Sequence, residues 1–460
     1  MNQNISPSPL HLSYPSGFRR RRGLNWTVLG ATYASYYMCR YNFRFATPGM
    51  VEEFHFDYAK ITLILAWWSV AYGVGQLVNG LFCDRMGGRA SMVIGAVGTV
   101  LVNLVYGFVS FAGTFSTFAL VWLLNGYLQS FGSPGFIKIN AAWFNRSERG
   151  TFSGVFGFMI QLGQVAINNL APLILAGFAI GAWTLPPNQW RWLFRIPPII
   201  TACMAVLVAL IPRETPEAAG YVGCVKDDSD TSAGDQASVR VSLKECFMTI
   251  FCHPLVWFYA LAYAATGAVR HSSDQLSVLF FTKHLKLDLS TQPRAVIWTM
   301  NIVPLVAVAG SLISGIVSDK LFGGHRSPVA VRLYAFLTLV VAGASVAMWS
   351  GRMGPSQAGV FLACVFLILV SFSVNATHSI VGGAAPMDIG GRRMAGFASG
   401  VIDSFQYFGA AVALPLTGKL LDKYGWDAWY PTMMAFGVVG VGAMLLVMRK
   451  QRLLLRHAAG

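Results

Sequence analysis

Arg40 and Arg270 are the residues of this chain whose type and setting ask for chemistry, because each lies inside a long apolar stretch. A guanidinium at the centre of a membrane-spanning helix costs roughly 2.5–3.5 kcal/mol on insertion scales, so each needs a partner. Arg40 follows Leu24 by 16 residues, and Arg270 follows Pro254 by the same number; both stretches begin at those residues. At 1.5 Å per residue this is about 24 Å of helix rise, well inside a tilted span. Two guanidiniums in one low-dielectric space repel unless an anion lies between them. The planar donor fork of arginine matches phosphate oxygens two at a time, and two forks suit a divalent phosphate group. The alternative is internal pairing. Asp274 is four residues after Arg270, the spacing of a helical ion pair, and Asp403 is the acid expected to serve Arg40. Either acid is also a candidate coupling group for a proton or sodium ion. Arg44 and Lys138 also fall in apolar stretches, but near their ends, where long side chains reach the interface.

The elements that must position these groups follow from composition. Of 460 residues, 55% are hydrophobic and only 12% charged, half the usual charged share of about 25%. A soluble protein of this length would need more charge on its surface, and a disordered chain would be far less apolar. The net charge of +15 would point to nucleic acid in a soluble protein; on this background it points to basic loops between membrane spans. About 20 apolar residues cross a bilayer as a helix. Twelve such stretches begin near Leu24, Ile61, Met92, Phe115, Phe152, Phe194, Leu255, Ala295, Val331, Val360, Ala395 and Tyr430. Twenty-one cations, including Arg19 to Arg22, Arg85, Arg89, Lys320, Arg392 and Arg393, fall on one side of this layout, against nine on the other. The positive-inside rule makes the richer side cytoplasmic and places both termini there. Residues 1–18 lack an apolar core and cleavage site, so the first span is expected to be retained. The 7 cysteines have no disulfide-like or zinc-like spacing. No phosphate-binding loop or other enzyme signature is present, so neither catalysis nor a cofactor is expected.

An internal repeat organises the spans. Gly80-Leu-Phe-Cys-Asp84-Arg85 with Gly88-Arg89 follows the second span, and Gly315-Ile-Val-Ser-Asp319-Lys320 with Gly324 and Arg326 follows the eighth. The two aspartates are 235 residues apart and the two arginines 230, so Arg40 and Arg270 occupy repeat-related positions on the first helix of each half. Such a repeat implies two six-helix halves related by an axis along the membrane normal, facing each other across a central site. The division is a tail at 1–23, helices at 24–212, a linker at 213–245 carrying Asp227, Asp228, Asp230 and Asp235, helices at 246–449, and a tail at 450–460. The repeated loop reads as a latch: Gly80 and Gly315 allow close helix approach, while Asp84, Arg85, Arg89, Asp319 and Lys320 form bonds that differ between two states. Plain loop charge is the simpler reading of the same residues.

This loop resembles the signature of the major facilitator superfamily, which implies an all-α membrane fold of 12 transmembrane helices in two pseudo-symmetric halves. Further segments resemble its organophosphate:phosphate antiporter family: Tyr36-Tyr37-Met-Cys-Arg40-Tyr-Asn42-Phe43, Gln129-Ser-Phe-Gly132-Ser-Pro134-Gly, Trp143-Phe-Asn-Arg-Ser-Glu148-Arg149-Gly150, Arg213-Glu-Thr-Pro216, His378 to Arg393, and Gly400-Val-Ile-Asp403. The resemblance implies that Arg40 and Arg270 hold the phosphate. It also shows departures. Gln76 stands where many members have a second-helix lysine, Tyr41 where some have a lysine, and Ile160 and Ile402 where residues of the glycerol-phosphate and hexose-phosphate patterns are expected. Tyr37, Tyr41, Asn42, Gln76, Gln161, Asn168, Asn301, His378, Gln406 and Tyr407 are candidates for the organic part, each with interhelical packing as its plain alternative. His271 and His378 are further candidates to carry a coupled proton.

The resulting expectation is a monomeric exchanger of a phosphate ester for inorganic phosphate in a bacterial inner membrane, in contact with lipid and not with nucleic acid. A sugar-phosphate sensor that signals to a membrane kinase, and an ion-coupled carrier of another anion, are the competing readings.

Overall fold

The computed structural model describes residues 14–108, 114–144, 149–225, 252, 254–322 and 326–459; the side chains of 149–156, 183, 254, 383–399 and 454–459 are outside the description. Linker residues Asp227, Asp228, Asp230 and Asp235, Arg146 and Glu148 of the fourth-span motif, and Gly324 of the second latch copy also lie outside it.

The chain is helical almost throughout. The N-terminal set comprises α1 (Phe18–Phe54), α2 (Tyr58–Met86), α3 (Gly88–Phe108), α4 (Phe115–Gln129), α5 (Gly132–Trp143), α6 (Arg149–Ala176) and α7 (Ile196–Leu210). The C-terminal set comprises α8 (Pro254–Leu279), α9 (Arg294–Phe322), α10 (Arg326–Trp349), α11 (Gln357–Tyr424) and α12 (Trp429–Ala459). A short antiparallel hairpin, Phe178–Ile180 with Trp183–Leu185, lies between α6 and α7. Eight described helical segments are long and apolar enough to cross a membrane. The expected first and seventh spans, α1 and α8, are not among them, because tyrosine and other polar residues as well as charges lower their hydropathy, and the expected fourth span is cut short by its break.

Two boundaries differ from the sequence expectation. The fourth stretch is split into α4 and α5, because Pro134 has no N–H to return to the carbonyl four residues back. The stretches beginning at Val360 and Ala395 form one helical element, α11. Its arms nevertheless run back along each other: His378 Nδ1 and Asp403 Oδ1 lie 2.8 and 3.4 Å from the same Tyr263 hydroxyl. Twenty-five residues of straight helix would separate them by about 37 Å, so the chain reverses within α11.

Caps and close crossings fix the helices that matter to the site. Asp57 starts α2 by accepting from the Lys60 amide at 2.7 Å, a normal N-cap. The return arm of α11 crosses α8 backbone to backbone: a Cβ on Gly267 would strike the Gln406 carbonyl, and one on Gly409 the Ala264 carbonyl. Only glycine permits that approach, and it brings Gln406 and Tyr407 alongside Arg270.

The two sets meet along α1 with α8, α2 with the return arm of α11, and α6 with α9. One end of this seam is sealed. Lys283 donates to Glu52 at 2.6 Å, and the amides of Asn169 and Asn301 bond reciprocally at 2.8 and 3.1 Å. Asp422, at the end of α11, accepts from the Tyr58 and Ala59 amides at 2.8 and 2.9 Å. A cleft of about 320 Å³ lined by Glu52, Thr282, Lys283 and Trp190 opens on this end.

At the opposite end, the described bonds stay within each set. Glu214 accepts from the Gly88 and Arg89 amides at 3.0 and 2.7 Å. Ser327 donates to Gln451 at 2.6 Å. Here the expected latch is not drawn together in this structure. Among the described residues, a Cβ on Gly80 or Gly315 would meet nothing within 4 Å, so no described helix lies against either glycine at this end. Asp84 pairs with Lys138 at 3.7 Å, not with its neighbouring arginines, while Arg85, Asp319 and Lys320 are exposed.

Candidate functional site

Arg40 sits on the face of α1 that meets α2 and α4, and it is only 4% exposed. Its guanidinium carbon lies 4.5, 4.7 and 4.4 Å from the ring centres of Tyr37, Trp68 and Tyr72. Each such contact contributes about 0.5–2 kcal/mol, so the rings replace part of the lost hydration. Nε donates to Gln129 Oε1 at 3.0 Å, while Nη2 is buried with no partner among the described residues. Asp403, expected to serve Arg40, does not bond it. The carboxylate instead takes the Gln406 amide at 2.5 Å and the Tyr263 hydroxyl at 3.4 Å.

Arg270, on α8, is held differently. Its Nε lies 3.9 Å from Asp274 Oδ2, and Nη1 lies 3.4 Å from His378 and from Gln406 Oε1. Gln406 therefore has its oxygen toward the cation and its amide toward Asp403. Tyr263, His378, Arg270, Gln406 and Asp403 close a polar ring around the C-terminal arginine.

Asp274 joins the two sets. Besides Arg270 it accepts from the Tyr41 hydroxyl at 3.2 Å, and its backbone carbonyl accepts from Arg44 Nη1 at 3.1 Å. The expectation that Arg44 reaches the interface is therefore corrected. It is 2% exposed and bonds Asn168, which itself donates to the Met300 carbonyl at 2.5 Å. Nearby acceptors from two helices, α6 and α8, offer a better exchange for its hydration than a distant interface. Lys138, by contrast, does reach the end of the helices, where it is partly exposed and bonds the Cys83 and Asp84 carbonyls at 2.9 and 3.0 Å.

Rings bridge the two arginines. Tyr72 lies 4.6 Å from Tyr407, and Tyr407 lies 5.3 Å from His271. Tyr37 stacks on Tyr41 at 5.8 Å. Such an arrangement can take an anion on a cation that lacks a carboxylate, beside a wall of ring faces and amides.

A family model described as Major Facilitator Superfamily matches residues 29–414. The chain belongs to this superfamily. It is an integral, multi-pass membrane protein with the all-α superfamily fold. The superfamily chain is 28% identical over 422 residues to the membrane sensor protein UhpC of Escherichia coli K12, covering 90% of this chain and 89% of that one. It is 28% identical over 417 residues to a probable hexose phosphate transport protein of Chlamydia pneumoniae (88% and 86% covered), and 25% identical over 416 residues to the glycerol-3-phosphate transporter of Bacillus subtilis (89% and 88%). These relatives agree with the organophosphate:phosphate antiporter resemblance of the sequence. Among solved structures, the fold matches a bacterial homologue of the human lysosomal transporter Spinster, inward-facing and unoccupied, with a TM-score of 0.70, 14% identity and 93% and 97% coverage.

Within the superfamily fold, Tyr37, Tyr41, Gln76, His378, Gln406, Tyr407, Asp274 and Asp403 gather around the two arginines. Asn42 does not: its amide bonds Asn103 at 2.8 Å and the Leu193 carbonyl at 2.9 Å, inside the N-terminal set. Asn168 and Asn301 belong to the seam between α6 and α9. Gln161 Oε1 is buried without a partner among the described residues. Sequence reasoning assigned no role to Trp68, Tyr72, Gln129 or Tyr263. The spacing Trp68, Tyr72, Gln76 puts three candidate side chains on one helix face, and Gln129 lay inside a segment already singled out.

Proposed function

We propose that this chain exchanges an organic phosphate ester, of the sugar-phosphate or glycerol-phosphate type, for inorganic phosphate across a bacterial inner membrane. The observation that carries this reading is Arg40: a buried guanidinium with a free Nη2, aromatic walls and no carboxylate. Arg270 completes the clamp by exchanging its contact with Asp274 for a phosphate oxygen. Twelve spans with both termini cytoplasmic make the end bearing Asp84 and Arg89 cytoplasmic, and the sealed end external. The structure then represents an inward-facing state.

Alternating access follows from the charges. Gathering the two halves around Arg40 with no anion leaves a buried charge unpaired, so the empty carrier reorients slowly. Phosphate bound at either face removes that penalty and lets the halves rock. Asp274 also holds the Tyr41 hydroxyl and, by its backbone carbonyl, the Arg44 guanidinium, so the carboxylate that Arg270 leaves lies in the seam itself. Opening that side must also break Glu52–Lys283 and release the α2 amides from Asp422. Asp84, Arg85 and Arg89, with Asp319 and Lys320, form the opposing latch in the outward state.

The test is counterflow. Liposomes containing the purified chain and loaded with phosphate are expected to take up labelled phosphate, with external phosphate esters competing. Absence of counterflow overturns the exchange reading. A relative named as a sensor favours one alternative: binding of phosphate esters without counterflow would identify this chain as a receptor on the same fold.

A further inference from the structure

The site is electrically lopsided. Among the described residues, the N-terminal helices contribute two buried cations, Arg40 and Arg44, with no acid beside them from their own set. The C-terminal helices contribute one cation, Arg270, and two acids, Asp274 and Asp403. Asp274 is accounted for by Arg270, Tyr41 and Arg44. Asp403 is not: it has no cation within 4.0 Å among the described residues, and Arg270 reaches it only through the Gln406 amide. Neutral donors orient this partly buried carboxylate, and Arg270 compensates its charge only from beyond ion-pair distance.

The two unpaired charges share one wall. Trp68, Tyr72 and Gln76 are spaced four apart on α2; the first two form the floor under Arg40, and Tyr72 lies 4.6 Å from Tyr407, one helical turn after Asp403 on α11. One helical turn, about 6 Å of rise, separates Tyr72 from Gln76. Tyr37 and Tyr407 lie within electrostatic reach of Arg40 and Asp403 alike. A ligand with its phosphate at Arg40 and its organic part along this wall therefore meets the carboxylate of Asp403.

We propose that this site selects phosphate monoesters whose organic part carries an ammonium group, with the phosphate at Arg40 and the ammonium at Asp403. The inference rests on the phosphate reading above and names its substrate class. A zwitterionic ester satisfies both unpaired charges at once, whereas an ester with a neutral organic part leaves Asp403 as it stands.

The test compares glucosamine 6-phosphate with glucose 6-phosphate, which differ only by an ammonium in place of one hydroxyl, as competitors of labelled inorganic phosphate on the purified full chain. The amino ester is expected to bind about tenfold more tightly, a ratio matching 1.4 kcal/mol. In Asp403→Asn, that ratio is expected to fall to within about twofold, whatever the absolute affinities. Equal binding of the two esters by the wild-type chain overturns the proposal without needing any variant. A tenfold preference that survives in Asp403→Asn overturns the role of Asp403. If the wild-type chain binds neither ester nor phosphate, the underlying function is wrong, an outcome distinct from lost selectivity.

Discussion

Arg40 and Arg270 are the same residue at repeat-related places, but their surroundings differ in kind. Arg40 is wrapped by Tyr37, Trp68 and Tyr72, bonds one neutral amide, and keeps a buried nitrogen without a partner. Arg270 is set against Asp274 and linked through Gln406 to a second acid. Ring faces stabilise a cation without cancelling its charge, whereas a carboxylate cancels it. The N-terminal arginine therefore keeps its attraction for an anion in the empty protein, and the C-terminal one must be withdrawn from its own acid first. One arginine attracts, and the other couples attraction to the seam.

The sharpest way to break this comparison is Arg40→Lys. Lysine keeps the charge but loses the planar fork, and two hydrogen bonds to a charged group are lost at roughly 1.5–3 kcal/mol each. Phosphate affinity should fall by about a hundredfold or more. Arg270→Lys should cost only about tenfold in the same competition assay, because part of that charge is already spent on Asp274. Equal losses in the two variants would show that the asymmetry has no energetic weight. Asp274→Asn keeps the hydrogen bond from Tyr41 but frees Arg270, so phosphate should bind several-fold more tightly, about three- to tenfold by titration calorimetry.

Asn42→Ala separates structure from binding on the Arg40 side. It strands the Asn103 side chain and the Leu193 carbonyl, and should lower stability by about 1–3 kcal/mol, seen as a reduced melting temperature with phosphate affinity changed less than about twofold. The smallest effect belongs to the seal. Asp422→Asn weakens the cap on α2 by about 0.5–1 kcal/mol. Thiol labelling of a reporter, Thr282→Cys, in the adjoining cleft should then speed up about two- to fivefold. No change would mean that Asp422 is not part of the lock.

Much of this was legible in the sequence because hydropathy is local. Apolar stretches gave the helices, the Gly-x-x-x-Asp repeat gave the superfamily, and Arg40 stood out against its own neighbours. The failures were of a different kind. The position of Arg44 in its stretch points to the interface and says nothing of Asn168 or Asp274, which lie 124 and 230 residues away. Asn42, two residues from Arg40, was grouped with it, but a helix turn of about 200° over two residues sends the side chains to different faces. Gly80 and Gly315 were expected to touch a neighbour, and the open end leaves them bare.

By itself the sequence determined that this chain lies in a membrane, that it is built of helices on a repeat, and that two guanidiniums are carried into the apolar interior. Each of these depends on the transfer energy of a residue and its near neighbours, which the order of residues specifies directly. Which arginine is paired, which acid is left without a cation, and which end is sealed were decided only by the tertiary structure. Ion pairing depends on atoms within a few ångströms, and here those atoms come from helices up to hundreds of residues apart, brought together by crossings such as Gly267 against Gln406.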